Sequence, residues 1–386
     1  MIPRQAQSTL LRLAKGFPIL VITGPRQSGK TTLARATFPS HEYVSLEDLD
    51  ERAFASEDPR GFLSRFDGKG VIFDEVQNVP SLLSYIQTLN DLDPIMGRIV
   101  LTGSQQVGLI EAVSQSLAGR AGMVQLLPLS LPEIAAHQDL PNLDEALYNG
   151  LYPAIYHREL NPSDWYASYI ATYVERDVRQ VLGVRDLATF ARFIKLCAAR
   201  TGQLLNITNL ATDAGISQSA AKQWLSVLEA SYVLFMLQPY HENYGKRLIK
   251  SPKLYFYDTG LAAHLLGISD EQQMNIHSSR PALFETLVIN EAIKSRLNLG
   301  KAHQCYFWRD STGLEVDLIM QTSQGLLPVE VKSGQTIASD WLNNLKKWQT
   351  LNENSRQPQL IYGGDKSHVR SDVACQSWSA MGFIED

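Results

Sequence analysis

Two segments of this sequence carry side chains suited to phosphate chemistry. Residues 21–32 read VITGPRQSGKTT and have the spacing G-x-x-x-x-G-K-[ST]. The apolar run 71–73 ends in a carboxylate pair, Asp74-Glu75. Glycines in such a loop let backbone N–H groups face an anion, and the helix that follows adds its positive N-terminus. The spacing therefore predicts a phosphate-binding loop.

Each group of this loop has an expected task. We expect Lys30 to reach the β- and γ-phosphates and the Thr31 hydroxyl to bind Mg²⁺. The predicted nucleotide-binding residues are Gly24, Pro25, Arg26, Gln27, Ser28, Gly29, Lys30, Thr31, Thr32, Asp74 and Ser104. The alternative is a glycine turn that only joins a strand to a helix.

The two acids follow a predicted buried strand. In a parallel sheet the carboxyl end of such a strand lies beside the phosphate loop. We expect Asp74 to hold Mg²⁺ through water and Glu75 to orient and deprotonate the attacking water. The alternative is a pair of surface acids after a core strand.

Two further positions carry open interpretations. The strand 98–104 should lie beside the loop strand, so Thr102 or Ser104 at its end either senses the γ-phosphate or caps the strand. Arg120 lies in a glycine-flanked turn. It would act as an arginine finger, in cis or on a neighbouring copy of the chain, or form a structural ion pair.

The C-terminal third carries a second constellation, with the spacing D-x(n)-E-x-K. Asp317 lies on a predicted hairpin strand, and Glu330 and Lys332 lie two residues apart on the next strand. Residues two apart on a strand point to one face, which Asp317 can share. This pattern fits the core of restriction-endonuclease-like folds.

The expected chemistry of this core is metal-assisted. Asp317 and Glu330 would bind Mg²⁺ or Mn²⁺, and Lys332 would orient or activate a water or stabilise the pentavalent phosphate. Glu285 on the preceding helix, 281–299, is favoured over Glu291 as a third ligand. The alternative is a degenerate nuclease fold that only binds its partner.

The segment 206–228 predicts a helix-turn-helix, with a helix at 210–214, a turn at Gly215 and a second helix from Ser217. Predicted strands at 232–237 and 253–258 would complete a winged helix. The residues expected to contact DNA are Ser219, Lys222, Tyr244, Lys246, Arg247, Lys250 and Lys253. The alternative is a lid or a protein interface.

Composition limits the classes of partner. The chain has 386 residues and a net charge of −5, so any nucleic-acid site must be a local patch. Its three cysteines lie far apart, which suits a reducing cytoplasm and argues against a disulfide frame or a zinc site. No apolar run approaches 18 residues, so no membrane span is expected.

The motifs GPRQSGKTT, VIFDEVQNVP, LTGS and SLAGR resemble those of prokaryotic AAA-type P-loop ATPases with a C-terminal domain of unknown function. The resemblance covers nearly the whole chain and extends to the segment 173–186. It implies ATP as the nucleotide, and the absence of an N-K-x-D motif points the same way.

The predicted fold class is α/β: a P-loop NTPase parallel sheet, a winged-helix segment and a restriction-endonuclease-like α/β domain. The expected domains are an ATPase at 1–135, a helical connector at 136–200, a winged helix at 201–260 and a nuclease-like domain at 261–386. The N-terminal helix is expected at 4–15, before the loop strand.

The resulting functional expectation is an ATPase that couples its nucleotide state to a nucleic-acid-handling module. Its cofactors would be ATP and Mg²⁺, with Mg²⁺ or Mn²⁺ at the C-terminal site. Double-stranded DNA and further copies of the chain are candidate partners. Two alternatives stay open: a nucleotide-switched protein-interaction module with an inactive nuclease-like domain, and a metal-dependent nuclease regulated by ATP.

Overall fold

The computed structural model describes residues 1–104, 116–174, 186–240, 250–352 and 354–383. The chain divides into two units, each made of several segments. The first contains Met1–Leu129, Ala230–Tyr232 and Arg296–Ala302. The second contains Ser130–Glu229, Val233–Ser295 and His303–Asp386.

A parallel sheet forms the centre of the first unit. Its strands within the described residues are β1 (Ile19–Thr23), β2 (Glu42–Ser45), β3 (Val71–Asp74), β4 (Ile99–Gly103) and β5 (Ala121–Gln125). Their spatial order is β2-β3-β4-β1-β5. Every residue of β1, β3 and β4 is buried, as expected for parallel strands covered on both faces.

Short helices cover this sheet. They are α1 (Ala6–Leu13), α2 (Lys30–Thr37), α3 (Leu49–Glu57), α4 (Pro59–Ser64) and α5 (Leu82–Leu92), with a 3₁₀ turn at Val76–Asn78. One face of the sheet packs on an apolar cluster that includes Phe62, Phe66 and Phe73. The other packs on a cluster that includes Leu10 and Leu33.

The predicted neighbourhood of the loop strand is confirmed. β4 pairs with β1 in parallel, with Thr23 opposite Gly103. The carboxyl ends of β1, β3 and β4 therefore lie at one edge of the sheet. The helix predicted at 4–15 runs from Ala6 to Leu13.

The second unit begins with short helices. From Ser130 onward the described helices are α6 (Leu131–Ala135), α7 (Leu143–Asn149), α8 (Pro153–Arg158), α9 (Pro162–Tyr169), α10 (Leu187–Ala198), α11 (Ile207–Ala214), α12 (Gln218–Ala230), α13 (Thr259–Leu265), α14 (Glu271–Ile276), α15 (Arg280–Leu297) and α16 (Asn343–Leu351). A π-helical segment, Ile170–Val174, and 3₁₀ turns at Ser339–Leu342 and Trp378–Ala380 accompany them.

Helices α11 and α12 cover the positions of the two helices that the sequence predicts at 210–214 and from Ser217. Gly215 ends α11 in the left-handed conformation, with φ 74°, which a glycine adopts without steric cost. An antiparallel sheet of β6 (Gln203–Leu204), β7 (Leu234–Leu237) and β8 (Lys253–Phe256) accompanies the helices, in the order β6-β8-β7. Its β7 and β8 lie within the two predicted strands.

A larger mixed sheet follows α15. Its described strands are β9 (Cys305–Arg309), β10 (Glu315–Thr322), β11 (Gly325–Lys332), β12 (Gln359–Tyr362), β13 (His368–Arg370) and β14 (Val373–Ser377). Their order is β13-β14-β12-β11-β10-β9. β9, β10 and β11 pair antiparallel, whereas β12 lies parallel to β11 and β14. Trp348 of α16 is buried against this sheet.

Some predictions fall outside the described residues. They concern Tyr244, Lys246 and Arg247, and most of the segment 173–186. In the part of the chain that the structure describes, no helix combines the length and the apolar character needed to cross a bilayer.

Candidate nucleotide site and acidic cluster

The loop between β1 and α2 has a backbone that only its particular residues allow. Gly24 and Gly29 have φ values of 147° and 94°. A Cβ atom on Gly24 would collide with the carbonyl oxygen of Leu126. Thr31 and Thr32 form the first turn of α2, so the loop ends at a helix N-terminus. The loop thereby offers backbone N–H groups and a positive helix end at one place.

Lys30 is buried within this loop. Its Nζ donates to the carbonyl oxygens of Gly24, at 3.0 Å, and Pro25, at 2.7 Å. Burial lowers the pKa of Lys30 to about 8, although nearby Glu75 and Asp74 favour its charged form. The ammonium therefore lies within the loop, and its protonation depends on the charges beside it.

Asp74 receives hydroxyl donors from three elements. The Thr31 Oγ1 lies 2.9 Å and 3.0 Å from its two carboxylate oxygens, and the Tyr43 hydroxyl donates from β2 at 2.9 Å. Thr102 of β4 also donates to it. Hydroxyl and carboxylate oxygens are the ligands that Mg²⁺ prefers, so Thr31 and Asp74 fit this ion.

Glu75 follows β3 in the left-handed backbone conformation, with φ 54°. Such a conformation costs free energy for a residue other than glycine and is common at functional sites. Its carboxylate accepts a hydrogen bond from Ser104 Oγ, at 3.0 Å, and another from the Gln77 amide. The predicted Ser104 thus lies at this sheet edge with its hydroxyl on Glu75.

Arg120 lies immediately before β5. Its guanidinium pairs with Asp91 through Nε at 2.6 Å and Nη2 at 3.0 Å. Of the two interpretations made from the sequence, this geometry is that of the structural ion pair. The arginine-finger role of Arg120 remains a prediction.

In the second unit, the residues Asp317, Glu330 and Lys332 meet on one face of the sheet. Lys332 Nζ lies 2.5 Å from Glu330 Oε1 and 3.5 Å from Asp317 Oδ2. The backbone N–H of Val331 also donates to Asp317 Oδ2, at 2.9 Å. Antiparallel pairing of β10 with β11 brings these residues together, since Leu318 lies opposite Val329.

Glu285 of α15 belongs to the same group. It accepts hydrogen bonds from Lys253, at 2.9 Å, and from Tyr255. Its charge also interacts with that of Asp317. Glu291 lies elsewhere, bonded to Lys294 and to the backbone of α6, each at 2.9 Å. The sequence-based choice of Glu285 over Glu291 thus fits the placement of the two side chains.

Burial and a neighbouring carboxylate raise the pKa of two acids of this group, Glu285 and Glu330. Burial and the neighbouring Asp317 raise the pKa of Glu330, despite its pairing with Lys332. Burial disfavours a charge on Lys332, but Asp317 and Glu330 raise its pKa above the usual range. Glu330 Oε2 is buried and has no hydrogen-bond partner among the described residues.

The comparisons with known proteins identify the domain that carries the first of these sites. Residues 16–135 match the family model described as AAA domain, and residues 140–272 and 280–380 match two domains of unknown function, DUF8612 and DUF4143. The chain is 32% identical over 339 residues to the uncharacterized proteins Rv2008c of Mycobacterium tuberculosis and Mb2031c of Mycobacterium bovis. The match covers 86% of this chain and 74% of each relative.

The chain belongs to the family of these two mycobacterial proteins. Its N-terminal part is an AAA-type P-loop ATPase domain. Among solved structures, the Walker-type ATPase paby2304 of Pyrococcus abyssi matches with a TM-score of 0.46 and 15% identity, over 69% of this chain and 96% of that one.

Arg4 is a residue of the first unit whose contact with the phosphate loop the motifs did not reveal. Its Nη1 donates to the carbonyl oxygen of Ser28, at 2.6 Å, and its Nη2 donates to that of Leu127, at 2.7 Å. It thereby links the phosphate loop to the chain after β5. No spacing rule connects residue 4 with the loop, so only the fold brings them together.

One predicted DNA contact is wrong. Lys253 is buried, because its strand places its side chain among Glu285 and Glu315 rather than at the surface. Ser219, Lys222 and Lys250 are exposed. Within the described residues, no group of three or more His, Cys, Asp or Glu side chains is arranged to hold a metal ion.

Proposed function

We propose that this protein hydrolyses ATP and couples its nucleotide state to a nucleic-acid-handling module in the rest of the chain. The observation that carries the ATPase part is the contact between Thr31 Oγ1 and Asp74 Oδ1, at 2.9 Å. It places a hydroxyl of the phosphate loop and a strand-end carboxylate at one point, with Glu75 next in sequence. This is the arrangement that a nucleotide-bound Mg²⁺ requires.

In this proposal each residue has one role. Lys30 stabilises charge on the β- and γ-phosphates, and Thr31 and Asp74 hold Mg²⁺, which neutralises those phosphates when bound. Glu75 takes the proton of the attacking water, while Ser104 and Gln77 keep its carboxylate in place.

Arg120 is the candidate arginine finger of this scheme. To reach a phosphate, its guanidinium would have to leave Asp91. Further copies of the chain are candidate partners, since a finger can come from a neighbouring subunit.

Two features support a nucleic-acid-handling module. Asp317 lies on β10, and Glu330 and Lys332 lie on β11. The order of these elements along the chain, α15-β9-β10-β11-α16-β12, fits a restriction-endonuclease-like domain at 261–386. Helix α12 carries the exposed Ser219 and Lys222, which fits a winged helix at 201–260. The same proposal includes an ATPase domain at 1–135 and a helical connector at 136–200.

A second candidate function is a nucleotide-switched protein-interaction module. The observation in its favour is the pairing of the C-terminal acids with lysines, since Lys332 contacts Asp317 and Glu330, and Lys253 contacts Glu285. Acids neutralised in this way can persist as a structural network without chemistry.

ATP turnover of the purified full-length chain, with and without double-stranded DNA, separates these candidates. The first predicts turnover that DNA raises several-fold and that Lys30→Ala abolishes. Turnover that DNA leaves unchanged would favour the interaction module. Mn²⁺-dependent nicking that disappears in Asp317→Ala would instead favour an ATP-regulated nuclease.

A further inference from the structure

Lys253 is a buried lysine whose ammonium lies between carboxylates from two other elements. Its Nζ is 2.9 Å from Glu285 Oε1 on α15 and 2.5 Å from Glu315 Oε1 on β10. Its side chain is only 4% exposed. A buried charge is unfavourable unless it is paired, so these carboxylates are what keeps the ammonium in place.

The partners of Lys253 belong to the acidic cluster of Glu285, Glu315, Asp317 and Glu330. Glu315 is two residues from Asp317 on β10, and Glu285 interacts electrostatically with Asp317. The same oxygen of Glu285 that holds Lys253 also accepts the Tyr255 hydroxyl. Lys253 and Tyr255, both of β8, thus engage the helix acid that was expected to be a metal ligand.

One carboxylate oxygen of the cluster, on Glu330, is not paired with a lysine among the described residues. Glu330 Oε1 accepts Lys332, but Glu330 Oε2 is buried with no hydrogen-bond partner in the described part of the chain. A divalent cation prefers carboxylate oxygens, and Glu285 is the third expected ligand beside Asp317 and Glu330. That third acid is taken by an ammonium.

We propose that Lys253 is an internal cation that occupies the acidic cluster in place of a divalent metal, and that a metal binds only when Lys253 leaves Glu285. This inference rests on the proposed restriction-endonuclease-like role of the cluster.

The position of Lys253 gives this competition a structural consequence. Lys253 is the first residue of β8 and pairs there with Leu237 of β7 and Leu204 of β6. The ammonium can therefore leave Glu285 only if its side chain or its strand shifts. Metal affinity at the cluster would then depend on the state of the three-stranded sheet beside the helix-turn-helix.

Mn²⁺ binding to the full-length chain, measured by calorimetry and by the shift of the melting temperature, tests the proposal. Lys253→Met removes the competing charge. We expect this variant to bind Mn²⁺ at least about tenfold more tightly than the parent, since the positive charge of a nearby ammonium opposes the binding of a divalent cation. Lys253→Arg keeps the charge and should bind as weakly as the parent. Adding Asp317→Asn to each variant should abolish binding and so assigns it to this cluster.

The outcomes separate this inference from the function on which it rests. If Lys253→Met and Lys253→Arg bind Mn²⁺ equally and both need Asp317, the competition is refuted while the metal-binding cluster stands. If no variant shows Asp317-dependent binding, the metal site and this inference both fail. Should Lys253→Met not fold, Lys253→Gln replaces it, because its amide can still donate to Glu285 without a charge.

Discussion

Replacing Arg4 with alanine should weaken ATP binding without removing any residue of the P-loop motif. Arg4 donates to the carbonyl oxygens of Ser28 and Leu127, at 2.6 Å and 2.7 Å. Hydrogen bonds from a charged donor contribute about 1.5–3 kcal/mol each to a folded arrangement. Because Arg4 is only half-buried, we take the lower part of that range for the bond to Ser28.

A loss of about 2 kcal/mol corresponds to an increase of about 30-fold in the dissociation constant of ATP. Arg12→Ala is the matched control, because it removes the same charge from α1, the helix that follows Arg4, and the Arg12 guanidinium donates to the carbonyl oxygen of Leu299 instead, at 2.9 Å. Titration of each variant with a fluorescent ATP analogue in the presence of Mg²⁺ measures the difference.

Arg4→Lys adds a second comparison. A lysine can replace one of the two donors but not their fork geometry, so its affinity should lie between those of the parent and Arg4→Ala. If Arg4→Ala binds ATP within threefold of Arg12→Ala, the bond to Ser28 does not order the phosphate loop and the reasoning is refuted.

Three further predictions concern the ATPase domain. Because the pKa of Lys30 is about 8 and only its ammonium attracts phosphate, ATP affinity should fall about tenfold between pH 7 and pH 9; the titration should be flat in Lys30→Ala. If Arg120 acts as an arginine finger, Arg120→Ala should lower kcat at least about 100-fold. Asp91→Ala breaks the same ion pair and should not lower kcat in this way. Equal turnover of the two variants would leave Arg120 only its role in the ion pair. Phe62→Ala should lower the free energy of unfolding by about 3–5 kcal/mol, since Phe62 is fully buried, and Phe54→Ala at its exposed neighbour should cost clearly less in the same denaturant titration.

Local patterns predicted the phosphate loop and its surroundings. Gly24 and Gly29 were recognisable because their backbone conformations are closed to other residues. The strand ending at Asp74 was recognisable as an apolar run that ends in an acid. The same logic located the turn at Gly215, where a left-handed residue ends α11.

The contacts that the motifs did not reveal depend on strand pairing and packing, which no local sequence pattern encodes. Tyr43 reaches Asp74 only because β2 pairs with β3, which sets Ser45 opposite Asp74 and Tyr43 two residues before Ser45 on the same strand. Arg4 reaches Ser28 only because the N-terminal segment packs beside the loop. Lys253 was predicted to face DNA because its charge was visible in the sequence but its direction on β8 was not.

The C-terminal cluster was only partly predictable from the sequence. The two-residue period of a strand put Glu330 and Lys332 on one face, and the hairpin brought Asp317 to them. The spacing could not reveal Lys253 and Tyr255, which come from a separate sheet. Both residues contact Glu285, so the surroundings of this acid depend on a strand that lies outside the motif.

ATP hydrolysis by the purified chain, with Mg²⁺ and with or without double-stranded DNA, tests the central claim most directly. We expect turnover that DNA raises several-fold, and a loss of at least about 100-fold in both Lys30→Ala and Glu75→Gln. Turnover in Lys30→Ala or Glu75→Gln equal to that of the parent would contradict the assigned catalytic site. Turnover that ignores DNA at every concentration would contradict the coupling to nucleic acid.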